Sequence, residues 1–275
     1  MTLNNIQSQY VSTIFKHTMI GIKNDAITNQ IIRFGIYERE IIEFILKLLQ
    51  KIEKPIVFDV GANIGNHSLA FSLFAEQVYS FEPTVPIYQF LRQNIFINNI
   101  KNINAVNKGL SDKNMESYIN INTTGNVGAS SIEIQTENYV KDKIYLIKGD
   151  SFVDEFKIQK VDLIKIDVEG HELFAIKGLN NTIEKFRPIV IMEWVNNIEE
   201  FSNEHTLENL FKDYQVFSIG FNFNNNLSRN NYLDRVLRII YKKLCLAKVK
   251  LFEFPDYKRN DILLIPKEKL FLLDK

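Results

Sequence analysis

Asp59-Val-Gly-Ala-Asn-Ile-Gly65 decides the reading of this chain. The run before it, Ile56-Val57-Phe58, is short and apolar, as a buried strand is. Helical spacing resumes at His67 and lasts to Phe74. Between strand and helix, the glycines allow a sharp turn and keep Cβ atoms out of a ligand's way. Asn63 tolerates a left-handed backbone better than most residues do. Strand, glycine turn and helix in that order form a ligand-binding unit when the sheet is parallel.

Working outward, the same alternation continues. Val78-Tyr79-Ser80-Phe81 is a second strand ending in Glu82-Pro83, and Ile87 to Ile97 is a helix. Ile103–Asn107 is a third strand, and Val161–Ile166 a fourth that ends in Asp167. A helix from about Glu172 to Phe186 leads to a fifth, Ile189–Met192, ending in Glu193. Residues 205–213 read as helical, Gln215–Ile219 as a sixth strand and Ile262–Ile265 as a seventh. Between the third and fourth, Met115–Ile121, Ser131–Gln135 and Lys143–Lys148 are candidate strands. Alternating strands and helices predict a mostly parallel α/β sheet covered on both faces. Such sheets bind ligands at the carboxyl ends of their strands. Here those ends carry Asp59, Glu82, Asp167 and Glu193, a rim of carboxylates.

Residues 1–54 read as an N-terminal helical extension. Ile41, Ile42, Phe44, Ile45, Leu48 and Leu49 fall on one helical face, and Pro55 ends that helix. Tyr37 and Glu38 just before it are weak candidates for lining a site. Residues 55–275 then form the main domain, with an insertion at about 221–260.

Two ligand classes compete for the first loop. A dinucleotide site wants G-x-G-x-x-G, which brings pyrophosphate onto a helix N-terminus. Aligned on Gly61, this chain has Asn63 and Asn66 where that pattern has glycines, and Asp59 would repel phosphate. S-adenosylmethionine carries an ammonium and a sulfonium and no phosphate, so an anionic rim suits it. Glu82, at the second strand's end, can accept both ribose hydroxyls in either case.

Bulk composition narrows the classes further. The 275 residues hold 33 basic and 33 acidic side chains, so a general nucleic-acid binder is disfavoured. Cys245 is the single cysteine, which fits a reducing compartment. The start lacks the basic-then-apolar pattern of a signal peptide, and no window is apolar enough to span a membrane. A cytoplasmic protein is expected.

Taken together, Asp59–Asn66, Phe81-Glu-Pro83, Ile166-Asp-Val-Glu-Gly-His-Glu172 and Arg187–Glu193 resemble the FkbM-type methyltransferases, and Asn260–Pro266 is similar to that family's last strand. The resemblance runs from about residue 35 to 193 and returns near 260. It implies the class I, Rossmann-like α/β fold: a seven-stranded, mostly parallel sheet with helices on both faces and an antiparallel last strand. It implies S-adenosylmethionine as methyl donor and a hydroxyl of a sugar or small metabolite as acceptor. By position, Asp59, Gly61, Ala62, Asn63 and Gly65 would hold the donor's methionine end, and Glu82 with Pro83 the ribose. Ser111 and Asp112 would sit near the adenine, and Asp167 to Glu172 would face the methyl group and acceptor.

An alcohol must lose a proton to attack, so a nearby base helps. Asp167, Glu169 and His171 cluster after the fourth strand, and His171 has the best unperturbed pKa for the task. Asp167 is the first choice for contact with donor or acceptor. His67 is a weaker candidate. Asp167, Glu169 and Glu193 offer hard oxygen ligands, but nothing in their spacing demands a metal and none is assigned. In the insertion, Leu233, Val236, Leu237, Ile240, Leu244 and Leu251 recur at helical spacing among Arg229, Arg235, Arg238, Lys242, Lys243, Lys248 and Lys250. Such a basic amphipathic helix suits an anionic substrate, a partner or a membrane surface. An anionic acceptor, such as a phosphate- or nucleotide-linked sugar, is the preferred expectation. Nitrogen methylation and a non-catalytic module that keeps the fold stand as alternatives.

Overall fold

A computed structural model describes residues 7–122, 139–194, 211–221, 248–254 and 261–274. In chain order it opens with strands β1 (Ser8–Ser12) and β2 (Thr18–Ile22), then helices α1 (Ala26–Phe34) and α2 (Arg39–Leu49). The first parallel units follow: β3 (Ile56–Val60), α3 (Asn66–Phe71), β4 (Gln77–Phe81), α4 (Val85–Ile97) and β5 (Ile103–Val106). A side sheet comes next, with β6 (Gly109–Ser111), β7 (Met115–Asn122) and β8 (Tyr139–Lys148). The chain resumes with α5 (Gly149–Glu155), β9 (Leu163–Ile166), α6 (Glu172–Gly178), α7 (Asn180–Phe186) and β10 (Ile189–Glu193). It closes with β11 (Tyr214–Phe221), β12 (Val249–Glu253) and β13 (Asp261–Pro266).

The main sheet runs β12-β11-β13-β10-β9-β3-β4-β5. From β10 through β5 all pairs are parallel, while β13 runs antiparallel to both β10 and β11. That reproduces the expected seven strands with an antiparallel last strand. The eighth, β12, adds an antiparallel edge beyond β11. It arises inside the stretch expected to be a basic helix, so Lys250 and Leu251 belong to a strand. The other insertion residues, through Leu244, lie outside the described residues, as do Ser131–Gln135 and residues 205–210.

Each core strand is apolar at successive positions because both of its faces are covered. Val57, Leu163, Ile189 and Leu263 enter one apolar cluster, with α2 and α3. Their neighbours Phe58, Ile164, Val190 and Leu264 enter the opposite one, with α6 and α7. This is the alternation of a pleated strand. Phe58 is fully buried and packs edge-on to Phe152, so truncating it to alanine should cost about 3–5 kcal/mol.

The first 54 residues differ from the helical expectation. Their start is a β-hairpin in which Val11 pairs with Met19. Its edge is satisfied by side chains of α4: Asn94 accepts from the Ile20 amide at 2.6 Å and Asn98 from the Thr18 amide at 2.9 Å. Strands this short and half exposed leave no clear period-two signature, so docking on α4 decides them. Asp25 caps α1 by accepting from the Ile27 and Thr28 amides. Then α2 ends at Leu49, well before Pro55, and its buried face joins the same core as β3. The expected helix 172–186 is interrupted at Leu179 and becomes α6 and α7.

Candidate active site

The quoted loop is fastened at both ends. The amides of Gly61 and Ala62 donate to the carbonyl of Phe81, at 3.1 and 2.9 Å. Gly61 sits at φ +84°, and a Cβ there would lie 1.8 Å from the carbonyl oxygen of Asp167. Backbone conformation and the neighbouring strand therefore each require glycine. The Asn63 amide donates to Glu82 at 3.1 Å, and the other Glu82 oxygen accepts from the Thr84 amide at 2.9 Å. Glu82 thus ties the first loop to the second. Asp59 is fully buried and accepts from the Ser68 hydroxyl, which accepts in turn from Ser80.

Two cavities open at this rim. The first is bounded by Gly61, Asn63, Glu82, Pro83, Asp167, Val168 and His171. Its far wall is apolar, with Leu110, Ile119, Ile144 and Leu146 supplied by the side sheet. The second lies beyond the same loop. It is walled by Tyr37, Glu38, His67, Lys165, Glu193 and Asp261. Gly61, Asn63, Asp167 and Glu169 line both.

The second cavity is dominated by carboxylates. Lys165 shares the cavity with Glu38, Asp167, Glu169, Glu193 and Asp261, its amine 3.0 Å from Asp167. Burial opposes the charge on Lys165, but Asp167, Asp59 and Glu38 outweigh it and hold its pKa above the ordinary lysine value. The acids respond in the other direction. Burial, reinforced by Asp167 and Glu169, pushes Glu193 up to about 8. Burial and Asp167 push Glu169 up to about 7. Asp261 reaches about 7 through burial, Glu38 and Asp167. In the first cavity, burial carries Glu82 up to about 7 despite the amides of Thr84 and Asn63.

Not every residue singled out in the sequence lines a cavity. Asp59 and Gly65 stand behind the wall, and Ala62 faces the second cavity. Ser111 is buried beside the first cavity and meets it through His171, whose Nε2 lies 3.0 Å from the Ser111 hydroxyl. Asp112 hydrogen-bonds Ser111 at that edge. His171 stacks on Phe174, and burial lowers its pKa against the pull of Asp112. It therefore faces the first cavity only.

The structure adds residues that the strand-end pattern missed. Lys165 was visible as a charge inside the apolar run Leu163–Ile166. Asp261 begins β13, and because that strand is antiparallel its start lies beside the carboxyl end of β10, opposite Glu193. Glu38 and His67 meet at 3.3 Å between α2 and α3. Nothing in their spacing announces that contact.

Parallel core, antiparallel last strand and a glycine loop between two cavities define a protein of class I methyltransferase architecture. The chain belongs to the FkbM methyltransferase family, since residues 59–223 match the methyltransferase FkbM domain. It is similar to the hexuronic acid methyltransferase AglP of Haloferax volcanii, with 27% identity over 56% of this chain and 61% of that protein. It is also similar to the methyltransferase sdnD of Sordaria araneosa, 25% identical over 51% of this chain and 66% of that one. The chain thus spans under two thirds of the length of either curated relative. Among solved structures, the FkbM methyltransferase of Methylobacillus flagellatus aligns with 77% of this chain and 43% of its own, at 18% identity and a TM-score of 0.46.

Proposed function

We propose that this chain transfers a methyl group from S-adenosylmethionine to a hydroxyl of a sugar or small metabolite, in the cytoplasm. The observation that carries the reading is the pair of cavities sharing Gly61, Asn63, Asp167 and Glu169. A donor in one and an acceptor in the other meet across that loop. The first cavity suits the donor: Glu82 for ribose hydroxyls, the apolar side-sheet wall for adenine, and the carboxylates of the rim for the cationic end.

In the reaction, the acceptor oxygen bonds to the methyl carbon as the methyl–sulfur bond breaks. The electron pair stays on sulfur and leaves S-adenosylhomocysteine. The hydroxyl proton passes to a side chain at the junction, where Asp167 and Glu169 stand. Much of the rate then comes from holding oxygen, carbon and sulfur in line. His171, on the donor side, takes a positioning part through Ser111.

The carboxylates of the second cavity revise the acceptor expectation. They disfavour a phosphate close to the reacting atom, so an anionic group of the acceptor would lie away from the junction. The similarity to a hexuronic acid methyltransferase supports a sugar acceptor. The same carboxylates favour a second reading, methylation of an amine. Calorimetry with S-adenosylhomocysteine and NAD tests the donor: binding of the first alone is expected, and binding of NAD alone overturns the reading. Hexuronic acids, nucleotide sugars and amino sugars, screened for methylated product by mass, test the acceptor.

A further inference from the structure

The second cavity places more carboxylates around one lysine than the lysine can balance. Asp167, Glu169 and Glu193 each offer an oxygen, and those oxygens lie within 4.8 Å of one another. That spacing fits three ligands converging on one ion, since hard cations take oxygen ligands at about 2.0–2.6 Å. The three come from different elements. Asp167 and Glu169 follow β9, and Glu193 ends β10, so parallel pairing of those strands holds them in register. Lys165 donates to one oxygen of Asp167 at 3.0 Å, so that carboxylate has a second oxygen to offer.

An independent feature faces the same cavity. His67 is 6% exposed, and its Nε2 has no hydrogen-bond partner among the described residues. Glu38 stands 3.3 Å from that nitrogen without the alignment of a hydrogen bond. A buried polar atom left this way marks a position that a ligand's polar group completes. His67 and the carboxylates therefore face one space from opposite elements, α3 and the ends of β9 and β10.

We propose that Asp167, Glu169 and Glu193 hold a divalent cation of the hard-oxygen type, Mg2+ or Mn2+, on the acceptor side of the donor loop. The inference rests on the methyl-transfer reading only for what the ion does there. A cation at this point binds the acceptor's hydroxyl oxygen and makes its proton easier to lose. The oxygens of Asp167 and Glu169 that do not ligate the ion remain at the junction to take the released proton. It also supplies the positive charge by which an acid-lined cavity accepts a polyhydroxylated or carboxylate-bearing acceptor.

The test needs no acceptor. Mn2+ is titrated into the full chain freed of metal by chelation, and bound ion is followed by calorimetry and by loss of the free-ion paramagnetic signal. A single bound Mn2+ is expected. Glu193→Gln should weaken it at least tenfold, the low end of what losing even an outer partner of a metal site produces. Glu116→Gln, which removes a surface partner of Lys143, should change nothing. S-adenosylhomocysteine binding by each variant reports that it is folded, and Glu169→Gln replaces Glu193→Gln should the latter fail that check. Absence of Mn2+ binding, or binding indifferent to the ligand variant, overturns the proposal. Failure of the wild-type chain to bind S-adenosylhomocysteine while it binds Mn2+ counts against the donor reading alone.

Discussion

The two cavities on either side of Gly61 are built on opposite principles. The first, the proposed donor side, is made of backbone turns and apolar walls, with Glu82 pinned by amides of both loops. The second, the proposed acceptor side, is made of charged side chains from α3, β9, β10, β13 and the start of α2, with Lys165 among them. A pocket of backbone and apolar contacts keeps its shape whatever occupies it. A pocket of crowded charge is poised by its occupants: protons, a cation or a polar acceptor. The first kind suits a common donor, and the second a particular acceptor.

The largest effect should come where the two sides touch. Gly61→Ala forces a Cβ into the Asp167 carbonyl at a left-handed φ, so it should destabilise by about 4 kcal/mol or more and abolish S-adenosylhomocysteine binding. Thermal melts and calorimetry check both, and a stable, ligand-binding variant would break the view that this loop joins the cavities. On the acceptor side, Lys165→Met removes a buried cation from beside half-buried carboxylates and should lower stability, by less than the roughly 3–5 kcal/mol of breaking a fully buried pair. Its melting temperature should fall more at high pH than at low pH.

Glu82→Gln tests the donor side. It removes charge-assisted hydrogen bonds worth about 1.5–3 kcal/mol, so S-adenosylhomocysteine affinity should fall about 10- to 100-fold. Because Glu82 titrates near 7 and only its ionised form accepts from both ribose hydroxyls, wild-type affinity should rise with pH through that value and then level. The Gln variant should lose that rise. His171→Gln keeps polar contact with Ser111 within reach and should alter donor affinity only several-fold, by under about 1.4 kcal/mol.

Stability should also depend on pH. Glu82, Glu169, Glu193 and Asp261 all hold their protons more tightly when folded than the ordinary carboxylate value of about 4. The folded state therefore binds more protons above that value, and these groups lower stability as pH rises from about 4 to about 8. The ligand-free chain should melt at a lower temperature near pH 8 than near pH 6. Added Mn2+ should reduce that difference.

How much of this was legible in the sequence follows the same division. Asp59–Gly65, Glu82, Asp167 and Glu193 were visible because strand ends in a parallel sheet share one rim, so order along the chain becomes position in space. The strand periods and glycines likewise determined the parallel core and the glycine loop after β3. Tertiary structure decided the rest. The hairpin exists because Asn94 and Asn98 satisfy its edge, and β12 because β11 offers an unpaired one. Asp261 reaches the rim because β13 runs backwards, and Glu38 meets His67 because α2 packs across α3. Local pattern encodes what a segment becomes and which of its ends points to the rim. Which distant charges share one buried space depends on packing, and packing set the balance around Lys165.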